Sequence, residues 1–251
     1  MNQERSSLLK ASELVAQAKT ITVLTGAGMS AESGIPTFRD ALTGLWSQFK
    51  AEELATESAF LENPDRVWSW YQWRRRQVLA AQPNAGHHAL ADLASKKNRL
   101  VVVTQNVDGL HQRAGQLSVI ELHGNILNSR CHLTGKRVDF DDWERDSAPP
   151  SSIHPEGLLR PCVVWFGESL PESTLRQAIR YVTQTDLLLS IGTSSVVQPA
   201  ASLPLMALNA GIPVIEINPL ATPLSPEVAV TIRGTAAKAL PVICDIRSRS
   251  R

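Results

Sequence analysis

Four short apolar runs, each closed by Gly, Asn or a polar turn, constrain this chain most: Ile21–Thr25, Leu100–Thr104, Asp186–Ile191 and Ile212–Ile217. Near-continuous runs of β-branched residues and Leu of this length suit parallel strands covered on both faces. Helix-like segments lie before or between them, about Leu8–Ala18, Ala85–Lys96, Glu172–Thr183 and Ala200–Ala210. The alternation predicts an α/β fold, a Rossmann-type doubly wound parallel sheet. Pro204 falls inside the fourth helical pattern and blurs its ends.

Two stretches leave this rhythm. Residues 41–83 look mostly helical, with aromatic clustering at Trp68, Trp70, Tyr71 and Trp73, while residues 125–160 are polar, Pro- and Ser-rich and without a period. They are expected to form a small second domain from two insertions, leaving 1–40, 84–124 and 161–251 to the large domain. A chain of 251 residues is long enough for that division. A net charge of +1 gives no global field toward nucleic acid or an anionic membrane. No apolar run approaches a membrane span. The three cysteines, Cys131, Cys162 and Cys244, are odd in number and far apart, which fits a reducing compartment. With no apolar leader at the N-terminus, the expectation is a cytoplasmic protein, and nothing reads as a dimer seam, so a monomer is expected.

The first run leads directly into Gly26-Ala27-Gly28-Met-Ser-Ala31. In the dinucleotide-binding reading Gly26 permits the tight turn, Gly28 lets backbone approach a pyrophosphate, and Ala31 allows close packing of the next segment. The acidic residue that dehydrogenases carry about 20 residues later is missing, since that region reads Thr43-Gly-Leu-Trp46. Asn106, Asp108 and Gly192 follow the ends of expected parallel strands, where open α/β sheets hold ligands. His123 follows Val119–Leu122 and precedes a glycine. It is either a structural imidazole or a base able to accept a proton near neutral pH.

Gly26 to Asp40, with Ala31-Glu-Ser-Gly-Ile-Pro-Thr-Phe-Arg-Asp40 after the glycines, closely resembles the signature of the sirtuins, the NAD-dependent protein deacylases. Thr104 to Gly115 resembles the family segment that binds nicotinamide and ribose, and Glu121-Leu-His-Gly124 the one holding its catalytic histidine. Gly192-Thr-Ser194 and Ile217-Asn-Pro219 resemble two strand-end contacts to the adenosine half of NAD. The resemblance spans about residues 8–243. It implies NAD as cofactor, held by Gly26, Ala27, Gly28, Ala31, Phe38, Arg39, Gln105, Asn106, Val107, Asp108, Gly192, Thr193, Ser194, Asn218 and Ala236. In the implied mechanism nicotinamide leaves the ribose while the acyl-lysine oxygen attacks C1′. His123 then activates a ribose hydroxyl, which attacks the resulting imidate. The products are free lysine, nicotinamide and acyl-ADP-ribose. Asn106 orients a water or the ribose, Asp108 contacts the nicotinamide amide, Phe38 shields the ribose from water, and Arg39 orders NAD. The implied partners are proteins with acylated lysines.

Val163-Val-Trp165-Phe166-Gly167-Glu168 resembles the family strand along which substrate peptide pairs through its backbone; taken alone it also reads as a buried edge strand. Tyr71 and Arg74, three apart on an expected helix, share a face. They match the Tyr-x-x-Arg of the sirtuin branch that removes succinyl and malonyl groups, although Arg75 and Arg76 also permit a basic solvated face. A guanidinium and a phenol suit a carboxylate, so a mixed acetyl and acidic-acyl range is expected. Competing readings are ADP-ribosyl transfer or NAD hydrolysis at the same site, or a non-catalytic NAD sensor. Most sirtuins also carry two Cys-x-x-Cys pairs around a structural zinc. Here the first pair reads Cys131-His-Leu-Thr134 and the second aligns at Ser152-Ile-His-Pro155. No structural zinc is expected, and residues 125–160 must be held by packing or be partly mobile.

Overall fold

The computed structural model describes residues 2–36, 50–145 and 147–245. The chain runs α1 (Asn2–Gln17), β1 (Thr20–Thr25), α2 (Ala51–Leu54), α3 (Glu57–Glu62), α4 (Pro64–Ala80), α5 (Ala85–Ala94), β2 (Arg99–Thr104), α6 (Leu110–Arg113) and β3 (Val119–Glu121). It continues through β4 (Gly124–Cys131), β5 (Arg137–Val138), β6 (Leu159–Val163), α7 (Glu172–Thr183), β7 (Leu187–Ile191), α8 (Leu203–Asn209), β8 (Val214–Ile217), β9 (Val230–Ile232) and α9 (Ala236–Cys244).

Six strands form a parallel sheet in the order β3-β2-β1-β7-β8-β9. Successive residues of a strand point to opposite faces, and both faces are covered. Val23, Val102, Leu189 and Ile215 pack with Val15, Leu90, Leu93 and Leu240 of α1, α5 and α9. Leu24, Val103, Leu188 and Val214 pack with Ala178, Val182, Leu203 and Ala207 of α7 and α8. Double coverage is why these strands read as continuous apolar runs. From β1 the sheet grows one way through β2 and β3, then the other way through β7, β8 and β9. The order therefore reverses between β1 and β7, where sheets of this type open a ligand crevice at their carboxyl ends.

A second, antiparallel sheet has the order β5-β4-β6. Its core joins Phe60, Trp68, Trp70 and Tyr71 of α3 and α4 to Ile126, Cys131, Trp143, Leu159 and Trp165. Trp68 stacks on Trp143 with centroids 4.5 Å apart, and the Arg75 guanidinium lies 3.6 Å from the Trp143 ring centre. The Trp68 indole donates to the Arg145 carbonyl, the Gln72 amide to the Trp143 carbonyl, and the Ala148 N–H to Asp65 at 2.8 Å. These bonds anchor the second insertion on α4.

The expected α7 appears residue for residue. Pro204 sits in the first turn of α8, where no N–H is needed, so Ala200–Ser202 forms a short 3-10 turn and the helix starts at Leu203. α1 begins at Asn2 rather than near Leu8. β9, with three residues, and α9, with Pro241 inside it, gave no sequence signal. Residues 125–160, which show no period in the sequence, contain most of β4 and all of β5. Polar Asn125, Arg130 and Arg137 hide the strand pattern there because each is paired: with Glu121, with Glu168 and with Asn128.

Candidate functional site

Of the expected cofactor residues, Gly26, Gly28, Gln105, Gly192, Thr193 and Asn218 gather at the switch point. Gly26 N–H donates to the Ile191 carbonyl at 3.0 Å and Gly28 N–H to the Gly192 carbonyl at 2.9 Å. The loops after β1 and β7 thus lie backbone against backbone. A Cβ on Gly28 would sit 2.7 Å from Gly192 Cα, and one on Gly192 only 2.5 Å from the Gly28 carbonyl carbon and Met29 N. Thr193 accepts from the Gln105 amide at 3.0 Å, and the Asn218 amide donates to the Thr193 carbonyl at 2.8 Å. The ends of β2, β7 and β8 are thereby cross-linked, with half-buried Ala27 and Ser194 beside them. This bare-backbone cradle fits a dinucleotide phosphate pair. Ser195 beside it holds a positive φ of 55° and has a buried hydroxyl without a partner among the described residues. Nothing in its spacing had marked it.

The packing role expected of Ala31 is not met. Ala31 does not pack beneath a helix: it is exposed and opens a short 3-10 turn, Ala31–Ser33, while Met29 fills the buried position. Two tight turns, rather than a helix start, follow the glycines, so the third small residue has no packing duty. Ala236 begins α9 with its side chain buried, and its carbonyl oxygen would lie 3.0 Å from a Cβ on Gly86. Phe38 and Arg39 lie outside the described residues.

Beyond β2 a chain of hydrogen bonds fixes the polar end of the site. Asn106 Nδ2 donates to Ser30 Oγ at 3.1 Å, and Ser30 Oγ donates to Asp108 Oδ2 at 2.7 Å. Asp108 Oδ1 accepts from Leu110 N–H at 2.9 Å. Burial raises the Asp108 pKa against the pull of the Leu110 and Ser30 bonds. Ser30, passed over in the motif reading, is the middle link. A hydroxyl two residues beyond Gly28 was the available signal. Val107 packs toward the second core, and its carbonyl accepts from Ile126 N–H. His123 Nδ1 lies 2.9 Å from the Gln105 carbonyl. A carbonyl only accepts, so Nδ1 carries the proton and Nε2 is the bare nitrogen. Burial lowers the His123 pKa, opposed by the Gln105 bond. The imidazole is therefore neutral near pH 7, with Nε2 ready to take a proton.

The His123 carbonyl accepts from Val164 N–H at 2.9 Å, which joins this site to the segment expected to bind peptide. That segment is not a continuous strand. β6 ends at Val163, and Trp165 to Glu168 makes a turn closed by Glu168 N–H on the Trp165 carbonyl, with Gly167 at φ 88°. The Val163 carbonyl accepts from Arg130 and Arg160, Trp165 N–H donates to Glu168, and Phe166 N–H donates to the Ala55 carbonyl. These groups are already committed. Trp165 is buried and Phe166 is 44% exposed, so of the two aromatic side chains only Phe166 faces outward. On α4, Tyr71 is buried and accepts from Trp165 Nε1 at 2.9 Å. The Arg74 guanidinium lies 5.0 Å from the Trp70 ring centre and 5.8 Å from that of Tyr71. Burial lowers the Arg74 pKa, opposed by the charges of Tyr71 and Asp108. Arg75 and Arg76 turn away, onto Trp143 and Glu144. The basic run therefore divides: Arg74 lies toward the site, and its neighbours brace the second insertion.

Cys131, Ser151 and His154 converge around Gly157, where an added Cβ would lie 2.7 Å from Cys131 Sγ and 3.0 and 3.2 Å from the Cβ atoms of the other two. Thr134 also bonds the thiol, and no group of three or more His, Cys, Asp or Glu side chains able to hold a metal is found among the described residues. One thiol, one imidazole and two hydroxyls do not fit a structural zinc, which takes thiolates and imidazoles. His154 Nδ1 already accepts from Glu156 N–H, and His132 Nδ1 from Leu158 N–H. Burial raises the Cys131 pKa, but hydrogen bonds from Ser151, Thr134 and Leu133 outweigh it and bring the value to about 7. The thiol is thus satisfied within the protein. Purified chain is expected to carry well under one zinc per molecule by mass spectrometry, and its melting temperature to be unmoved by a chelator. Stoichiometric zinc would overturn this reading.

Residues 26–199 match the Sir2 family. An NAD-dependent protein deacylase of Deinococcus radiodurans is 49% identical over 234 residues, covering 91% of this chain and 94% of that protein. A crystal structure of a Sir2 homologue–NAD complex superposes with a TM-score of 0.89 at 44% identity, covering 94% of this chain and 92% of the other. A Sir2 homologue mutant with 2′-O-acetyl ADP-ribose gives 0.86 at 44%, covering 94% of each chain. The motifs, the switch-point crevice and these likenesses agree, and the chain belongs to the Sir2 family.

Proposed function

We infer that the protein removes acyl groups from lysine side chains of other proteins with NAD as cosubstrate, releasing nicotinamide and acyl-ADP-ribose. The observation that carries this reading is the tautomer of His123: a neutral imidazole with a bare Nε2, beside the Asn106–Ser30–Asp108 chain at the switch point. When bound, NAD supplies a ribose carbon that gives up nicotinamide and takes the acyl oxygen. Gly26, Gly28, Gly192 and Thr193 would hold its phosphates and adenosine half through backbone. Ser30 keeps the Asp108 carboxylate and the Asn106 amide in fixed orientations, so that they meet the nicotinamide end without reorganising. His123 Nε2 takes a proton from a hydroxyl within its reach, while Nδ1 keeps its bond to Gln105 throughout.

Incubation with NAD and matched acetyl- and succinyl-lysine peptides tests this, with products read by mass spectrometry. Deacylated peptide together with acyl-ADP-ribose is the expected result. Nicotinamide release with intact acyl-peptide would sink it.

The acyl range includes acidic groups. Arg74 and Tyr71 lie together on the site-facing side of α4, and a guanidinium beside a phenol suits a terminal carboxylate. Arg74→Met is expected to lower the ratio of succinyl to acetyl turnover by about 10- to 100-fold, the loss for one charge-assisted contact. An unchanged ratio would remove acidic-acyl selectivity from this reading. Peptide docking rests on backbone of the Val163–Gly167 segment outside the groups already bonded to Arg130, Arg160, Glu168, His123 and Ala55.

A further inference from the structure

The indole of Trp165 is among the most firmly held side chains near the site. The Arg160 guanidinium lies 3.0 Å from its ring centre, and Phe60 packs at 5.4 Å. Its backbone N–H donates to Glu168 at 2.8 Å, and Glu168 is gripped by Arg160 and Arg130. Its one polar side-chain atom, Nε1, is spent on Tyr71 Oη.

An indole N–H can only donate, so Tyr71 Oη is the acceptor and its own proton is left over. Tyr71 is 1% exposed, and no acceptor for that proton is found among the described residues. A buried O–H calls for one. A carboxylate arriving beside Arg74 would provide it.

We propose that Trp165 is a positioning residue for acyl selectivity, which fixes Tyr71 as an acceptor toward the core so that its hydroxyl proton is directed at an acidic acyl terminus. This rests on the acidic-acyl reading above and extends it from the Tyr71–Arg74 pair to a residue that acts only through Tyr71. Without the indole N–H, nothing fixes the rotation of the phenol, and its hydroxyl must be ordered by the carboxylate itself.

The test is a double-mutant cycle on Tyr71→Phe and Trp165→Phe, with Arg74→Met alongside and peptides differing only in acetyl or succinyl. Trp165→Phe keeps an aromatic body and is expected to raise KM for the succinyl peptide relative to the acetyl peptide by about five- to tenfold, the worth of one hydrogen bond. In the Tyr71→Phe background the same change is expected to move that ratio by less than about twofold. Equal effects on both peptides, or an undiminished effect without the Tyr71 hydroxyl, would overturn the proposal. If Arg74→Met collapses the ratio and Trp165→Phe leaves it alone, only the positioning role falls. If Arg74→Met leaves it alone, the acidic-acyl reading falls and this proposal with it. Should Trp165→Phe fail to fold, the indole 15N–1H signal of Trp165 in the unaltered protein decides. It is expected to shift with succinyl peptide and not with acetyl peptide, and an identical response to both overturns the proposal.

Discussion

His123→Ala is expected to lower kcat/KM for acyl-peptide turnover by about 10²- to 10⁴-fold, the contribution of a positioned general base. NAD affinity measured calorimetrically should stay within about threefold, because the loss falls on the transition state. The imidazole is held by one bond to the Gln105 carbonyl and holds Val164 only through its own carbonyl. Alanine keeps that carbonyl and removes only the base. The pH profile supplies the sign. Burial lowers the folded-state pKa below the ordinary 6.5, so the base stays free at neutral pH and is lost as pH falls through the lowered value. The acid limb of the unaltered protein should therefore have its midpoint below 6.5. The variant's residual rate should lack that limb. A variant within tenfold of the unaltered protein, or one keeping the limb, would assign the proton transfer elsewhere.

Gly192→Ala is expected to be the most damaging change of a single methyl group. The residue sits at φ 59°, in the left-handed region, where a Cβ costs about 1–2 kcal/mol. The new methyl would also lie 2.5 Å from Gly28 C and Met29 N. Both are backbone atoms of the opposing loop, so no side chain can swing aside, and overpacking adds about 1–3 kcal/mol. A total of about 2–5 kcal/mol corresponds to a fall in Tm of about 5–15 °C in a chain of this size. Separating the two loops also opens the cradle, so NAD binding should weaken by at least about 30-fold, one further contact of about 2 kcal/mol. A variant that melts within a degree or two and binds NAD normally would show that the loops are not in the contact described.

The large sheet was readable because each central strand is covered on both faces, and Val101–Val103 and Leu187–Leu189 show that coverage directly as apolar runs. The same logic missed β4. Arg130 lies in that strand with its charge answered by Glu168, 38 residues on, and a local pattern cannot show a partner so distant. Ala31 was misassigned because the glycine spacing suits both a helix start and a pair of tight turns, and only the crossing of the loops after β1 and β7 decides between them. Ser30 and Ser195 were overlooked for a different reason. A serine is ordinary anywhere in a loop until its hydroxyl is seen bonded to Asp108 or left buried. That Tyr71 and Arg74 lie side by side was legible from their spacing on a helix, whereas the bond from Trp165 to Tyr71 spans 94 residues. Val163–Glu168 reads as a strand because its residues favour one, yet Glu168 folds back to take the Trp165 amide and ends the strand at Val163.

The second core bears on how the chain folds. Trp68 and Arg145, joined in that core, are 77 residues apart, and the sequence between them includes α5, β2, α6 and β3. Closing so long a segment of free chain is entropically costly, and the cost falls once the intervening strands are already docked beside β1. The β1–β2–β3 part of the parallel sheet is therefore expected to dock before the Trp68–Trp143 stack closes. On partial denaturation the reverse order is expected: amides of β4 and β5 should exchange with solvent through openings that leave β1 and β2 protected. The part of the molecule that carries Tyr71 and Arg74 can thus come apart and reform while the nucleotide cradle stays intact.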